Sequence, residues 1–250
     1  MIYGLYQSAA GMMTTEYRQD VLANNIANAD TIGFKRDLAV FAERYQASQS
    51  GQRSGPSNDL LRNLSGGVWL GQTYTDFDEG AYQETGNPLD VALAGSGFLM
   101  VRGDESPLLT RDGRMMLDPD GALVATTDAA PVLSESGTAI RVNPHGGKVT
   151  IDEDGFVNQD GARRGRLAVV DVDNYDALRK VGASRFDFGS QKPVAAAAQV
   201  MSERVENSGV EPVKELVGMI EASRAYQLNA QMVSLQDQSV GRLISAVALR

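Results

Sequence analysis

Apolar side chains recur at steps of three and four at both ends of the 250-residue chain, and in short runs between turns through its middle. Ile2, Leu5, Tyr6, Ala9, Met13, Tyr17, Val21, Leu22 and Ile26 keep the helical period, with Gln7, Thr14, Glu16, Arg18 and Gln19 between them. That pattern predicts an amphipathic helix. It should stop within 29–31, because Asn28 and Asp30 weaken it and Gly33 can take the left-handed conformation that ends a helix. A second helix is predicted near the other end. Ser208 and Glu211 have capping-box spacing and Pro212 falls in the first turn. Val213, Leu216, Val217, Ile220, Leu228, Met232, Leu235, Leu243 and Val247 then form a stripe. The eight-residue step from Ile220 to Leu228 departs from strict heptads, so a perfectly regular coiled coil is not expected.

Between the helices the period changes. Short apolar runs at 91–93, 98–101 and 167–170 are separated by turn residues, including the pairs Asp112-Gly113, Asp120-Gly121, Asp154-Gly155 and Asp160-Gly161. Asp-Gly supplies the positive φ that a tight hairpin needs. Residues 48–57, rich in Ser, Gly and Gln, read as a linker. The expected fold is α+β, with paired N- and C-terminal helices in a coiled-coil-like arrangement and a central antiparallel β domain. A short helix is expected within 175–180. The expected divisions are 1–46 (helix and extended arm), 47–66 (linker), 67–204 (β domain) and 205–250 (closing helix).

A helix with one apolar stripe cannot cover it alone, and isolated helices are marginal in water. The simplest alternative is one globule whose end helices pack on its own sheet. Two features point elsewhere: the linker, and the small residues Ala9, Ala10, Gly11, Ala23, Ala27, Ala222, Ala225 and Ala230, which let neighbours approach on several sides. Helices packed on several sides suit bundles and polymers, and a heterologous contact that does not close makes a filament.

Composition narrows the function. A formal charge of -9 with no long basic run argues against nucleic acid and anionic membranes. With no cysteine, disulfides and thiolate metal sites are excluded. Residues 1–11 lack a secretory signal pattern, which fits a cytoplasmic protein and equally one exported without a cleaved signal. His145 stands in a Gly-rich loop with no triad or metal partners. Asp118, Asp120, Asp152 and Asp154 do not have EF-hand spacing and read as turn residues. Gly95 and Gly97 lack the lysine of a phosphate-binding loop, and Asn63-Leu64-Ser65 matches a glycosylation acceptor by chance frequency. No catalytic residue, metal site, cofactor or small-molecule substrate is expected, and the chain is not read as an enzyme.

The residues at 5–13 (LYQSAAGMM) and 22–35 (LANNIANADTIGFK) resemble the N-terminal signature of the flagellar rod, hook and hook-associated family. The middle is similar to that family's central segment: Thr85-Gly-Asn-Pro-Leu-Asp90, then VALAGSGFLMV at 91–101, Leu109-Thr-Arg-Asp-Gly113 and Asp120-Gly-Ala-Leu-Val124. Residues 205–250 resemble its closing helix, including 213–220 and Arg224-Ala-Tyr226. Two departures are Gly209, where the family commonly has Asn, and Leu99-Met100 after Phe98, where a second Phe is usual.

The resemblance implies a subunit of the basal-body rod, exported through the flagellar type III apparatus. Its terminal helices would form an inner tube and its β domain an outer shell, in a hollow drive shaft between motor and hook. Implied partners are other copies of itself, neighbouring rod proteins, the export apparatus and the surrounding rings. The expected assembly interface comprises Ile2, Leu5, Tyr6, Ala9, Met13, Tyr17, Leu22, Asn24, Asn25, Ile26, Asn28 and Phe34, with Val213, Leu216, Val217, Ile220, Tyr226, Leu228, Met232, Leu235 and Leu243. Three Asn within 24–28 cost helix propensity, which favours hydrogen bonds between subunits. Short length and a modest linker favour a proximal rod protein over a distal rod or hook-type paralogue. Readings from other classes are a secreted β-domain binding module, for which Trp69 is thin support, and an envelope hydrolase, for which no constellation is visible.

Overall fold

The computed structural model describes residues 2–43, 68–182 and 184–248, and the predicted linker and the Asn63 sequon lie outside them. The chain forms two compact units, one of residues 1–26, 37–74 and 211–250, the other of 27–36 and 75–210.

The first unit is built on two helices, α1 (Ile2–Ala27) and α2 (Pro212–Ala248). They approach each other through small and polar residues. A methyl group placed on Gly4 would lie 2.8 Å from Gln236 Nε2, one on Gly11 2.9 Å from Asn229 Nδ2, and one on Gly218 3.5 Å from Leu22 Cδ1. Each advance along α1, from 4 to 11 to 22, is matched by an equal retreat along α2, from 236 to 229 to 218. The two helices therefore run antiparallel, in contact over about five turns. Ser8 and Ala222 are buried. In the same unit Phe41–Glu43 pairs antiparallel with Val68–Leu70.

The start of α2 corrects the expected cap. The Glu211 carbonyl accepts from Glu215 N at 3.1 Å and Pro212 is the first helical residue, where its missing N–H is not needed. Ser208 lies too early to cap, and its hydroxyl instead accepts from Val210 N at 3.3 Å. Residues 204–206, expected at the edge of the closing helix segment, form a strand paired with Tyr82–Glu84.

The second unit is antiparallel β. A six-stranded sheet has the order Arg179–Lys180, Arg185–Asp187, Pro107–Thr110, Phe98–Arg102, Val169–Asp171 and Val194–Ala195. A three-stranded sheet joins Val149–Ile151, Phe156–Gln159 and Ala162–Arg166. Strand alternation divides the core: Leu99 and Val101 enter an aliphatic cluster with Val91, Met115, Leu123 and Leu167, and Phe98 joins Leu109, Val172 and Phe186. Phe77 lies across this second cluster, edge-on to Phe98 at 5.8 Å. A 3-10 turn, Tyr175–Ala177, stands where the short helix was expected, capped by the Asn174 side chain accepting from Asp176 N.

Three of the four Asp-Gly pairs have glycine at positive φ, and at Asp160-Gly161 both residues do (54° and 75°), as the two-residue hairpin demands. Gly113 is different. Its requirement is a close approach: a Cβ there would fall 1.7 Å from the Val91 carbonyl oxygen, while Val91 N donates to Gly113 O at 3.0 Å. The turn aspartates serve backbone amides, Asp118 Oδ1 accepting from Ala122 N and Asp152 Oδ1 from Phe156 N.

Candidate assembly site

Since α1 and α2 meet through Gly4, Ser8, Gly11, Gly218, Ala222, Asn229 and Gln236, their large apolar residues are left elsewhere. Tyr6 and Met13 are 74% and 71% exposed, and Leu5 and Ala9 are exposed beside them. On α2, Val213 is 74% exposed, and Leu216, Val217, Ile220, Leu228, Met232, Leu235 and Leu243 are all exposed. At about 100° per residue, Val213, Val217 and Ile220 project away from the side that carries Gly218 and Ala222. Both helices thus direct mainly small and polar groups at each other, with Leu22 on Gly218 an exception, and leave many of their large apolar groups at solvent. Contiguous apolar patches of this kind mark interaction surfaces.

The remaining expected interface residues divide three ways. Tyr17, Ile26, Asn28 and Tyr226 are half-buried and Asn24 is exposed. Leu22 is half-buried and packs on Gly218. Ile2 begins α1, but its side chain is not among those described.

Asn25 and Phe34 require correction, because both are consumed inside the subunit. Asn25 is 0% exposed. Its Nδ2 donates to the Asp37 carbonyl at 2.8 Å and to Glu215 Oε2 at 3.3 Å, and its Oδ1 accepts from Asp37 N at 2.9 Å. The carboxamide acts as a surrogate peptide for the arm that follows α1, and that local bonding offsets its poor helix propensity. Phe34 is 1% exposed, with Lys180 Nζ 4.0 Å from its ring centroid.

The β unit holds a feature that periodicity did not reveal. Lys35, Arg111 and Glu206 form a buried ionic cluster, with side chains 1%, 3% and 1% exposed. Lys35 Nζ donates to Glu206 Oε1 at 2.6 Å and to the Asp78 carbonyl at 2.7 Å. Arg111 Nη1 reaches Glu206 Oε2 at 3.1 Å and Nη2 reaches Gly95 O at 2.7 Å, while Gly80 N donates to Glu206 Oε1 at 2.9 Å. Burial pushes the Lys35 ammonium below its ordinary range, opposed by its contact with Glu206. Residues 27–36 join the β unit for this reason: Gly33 N donates to Glu206 O, Phe34 O accepts from Gly209 N, and Lys35 enters the cluster. Gly33, at φ 68°, also lies so close to Arg111 and Asp112 that a Cβ would sit 2.4 Å from their peptide bond. The sequence signal was a cation in each of two motifs, TIGFK and LTRDG, next to residues that must be buried. Glu206 carried no signal of its own.

The three contributors lie in three different family segments. Residues 5–35 match the family described as flagella basal body rod protein, 92–159 the flagellar hook protein FlgE/F/G D1 domain, and 201–246 the flagellar basal body rod FlgEFG protein C-terminal. Among curated relatives, the flagellar basal-body rod protein FlgF of Caulobacter vibrioides is 35% identical over 232 residues, covering 92% of this chain and 91% of that one. The flagellar basal-body rod protein FlgG of Bacillus subtilis is 29% identical, covering 98% and 99%. FlgF of Mesorhizobium japonicum is 29% identical, covering 96% and 97%. With one relative above 30% identity over nearly its whole length, and the ordered segments joined through one buried cluster, the chain belongs to the flagellar basal-body rod protein family.

Proposed function

We propose that this chain polymerises with copies of itself and with neighbouring rod proteins through α1 and α2, which pair as an irregular antiparallel coiled coil and present their outward stripes to adjacent subunits. The observation that carries this is the inversion of the helical unit. Its internal contact is lined by Gly, Ser, Asn and Gln with Leu22 as a large apolar member, while Tyr6, Met13, Val213, Leu216, Val217 and Ile220 face water. Burying such side chains gives roughly 1.5–3 kcal/mol each, which only a neighbour can supply here. The structural role that follows is a shaft that transmits torque, where close-packed helices deform little. Passage through the flagellar type III apparatus and a proximal position in the rod complete the reading.

Deletion of residues 2–17 tests it. The variant should lose rods and swimming while its β unit keeps its cooperative unfolding transition. Swimming that survives the deletion overturns the assembly reading.

A further inference from the structure

The helical unit carries a pocket of about 400 Å³ whose walls include Met13, Tyr17, Val68 and Trp69, with Glu16 and Asp20 at its acidic side. Glu16 and Asp20 are exposed and make no ion pair with a described residue. An aromatic and thioether floor beside two carboxylates is the chemistry that receives a guanidinium: the planar cation stacks on the rings, its aliphatic stem covers the methionine, and the carboxylates accept its N–H groups.

The outward stripe of α2 holds such a group. Arg224 is exposed, forms no ion pair with a described residue, and lies four residues from both Ile220 and Leu228, in the middle of the apolar surface. A cation in an apolar stripe is costly to bury unless its partner is acidic, and Glu221, exposed three positions before it on α2, is not ion-paired with it. The antiparallel register fixes where these groups stand. By the steps that match Gly11 to Asn229 and Leu22 to Gly218, Glu16 is level with Arg224 along the pair. At about 100° per residue each points well away from the partner helix, and the two project to opposite flanks. Arg224 therefore cannot serve its own pocket and is left facing outward, where a second copy can meet it.

We propose that Arg224 of one copy docks in the Glu16/Asp20/Trp69 pocket of a second copy and sets the register between subunits. This rests on the assembly reading above and names one contact within it. The contact is heterologous, so repetition propagates a filament and does not close a dimer.

The test uses the full chain in a motile host lacking its own copy, with rods counted in basal bodies and swimming measured in soft agar. Arg224→Glu alone, and Glu16→Arg with Asp20→Arg alone, should each reduce assembled rods by about tenfold or more. Co-expressing the two variant chains should restore them, because alternating copies regain every complementary contact, and so should the three changes combined in one chain. Arg242→Glu, at the same angular position about five turns further on, should stay within about twofold of the unaltered chain. Assembly by either reversed variant alone, failure of both rescues, or equal damage from Arg242→Glu each overturns this contact. None of those results touches the broader assembly reading, which fails if the 2–17 deletion still builds rods.

Discussion

The two units solve opposite problems with the same residue types. In the β unit, apolar side chains go inside so consistently that Val91, Leu109, Leu123, Val157 and Phe186 are all 0% exposed, and even its buried charges are matched around Glu206. In the helical unit the helix contact is made mostly by polar and small residues, and many of the large apolar ones stay out. One unit buries its own apolar side chains, and the other leaves many of its own exposed on the face proposed for assembly. Stability and assembly are thereby assigned to different parts of the molecule, so substitutions should separate the two properties.

The sharpest separation is expected from the outward stripe. Changing Val213, Leu216, Val217 and Ile220 together to Gln should abolish rod assembly while shifting the β unit's unfolding free energy by no more than about 0.5 kcal/mol, as for exposed positions generally. Sedimentation or electron microscopy of assembled rods, set beside a denaturant titration, checks both halves. Retained assembly would mean that the exposed stripe is not the interface.

Glu206→Gln should do the reverse. It removes the one carboxylate shared by Lys35 and Arg111 and leaves two buried cations, a loss on the order of 3–5 kcal/mol. The folded unit has only about 5–15 kcal/mol in total, so a large drop in denaturation midpoint is expected. A change below about 1 kcal/mol would show that the cluster is solvated and not structural. Next in size is Asn25→Ala, which removes two hydrogen bonds to the Asp37 peptide and one to the buried Glu215 carboxylate and should cost about 1–3 kcal/mol, read as thermal unfolding of the helical unit.

The comparison also explains what could be read from sequence. Periodicity located α1 and α2 and their apolar stripes because those residues are spaced by helical geometry, whatever they contact. The Asp-Gly pairs revealed hairpins because positive φ is a local demand. What was not legible is non-local. Asn25 looked like an interface residue because its partner, the Asp37 peptide, lies twelve positions away across a turn. Glu206 pairs with Lys35 across 171 positions, and nothing in its own neighbourhood distinguishes it from a solvated carboxylate. The contact side of the helices was also hidden, since a search for apolar stripes finds the face left over and passes by the glycines that meet.

Alkaline pH should act on the β unit through its tyrosines. Burial and a hydrogen bond to Asp171 push the Tyr175 phenol up to about 12, and burial with the Glu79 hydrogen bond pushes Tyr82 up as well. A folded-state pKa above the unfolded value of about 10 stabilises below pH 10, and that contribution is lost as pH rises from about 10 to 12. Lys35 works in the opposite sense, because its depressed value makes burial unfavourable at neutral pH and neutral in effect above about 10.5. Tyrosinate absorbance separates the two. The ionisation of Tyr82 and Tyr175 should be delayed in the folded protein, and that delay should vanish on unfolding.

The smallest effect should have an unexpected sign. Gly218 faces Leu22 at the α1–α2 contact, where a glycine would ordinarily mark an approach too close for a side chain. The geometry says otherwise: a Cβ there would lie 3.5 Å from both Leu22 methyl carbons, an ordinary van der Waals separation. Gly218→Ala should therefore gain helix propensity without a clash and stabilise the helical unit by about 0.5–1 kcal/mol. Gly11→Ala should gain less or nothing, since its Cβ would displace the Asn229 carboxamide at 2.9 Å. Thermal unfolding of the two variants, followed by helical ellipticity, ranks them. If Gly218→Ala proves the more damaging, the helices pack more tightly at Leu22 than at Asn229, and the antiparallel register that aligns Arg224 with Glu16 would shift with it.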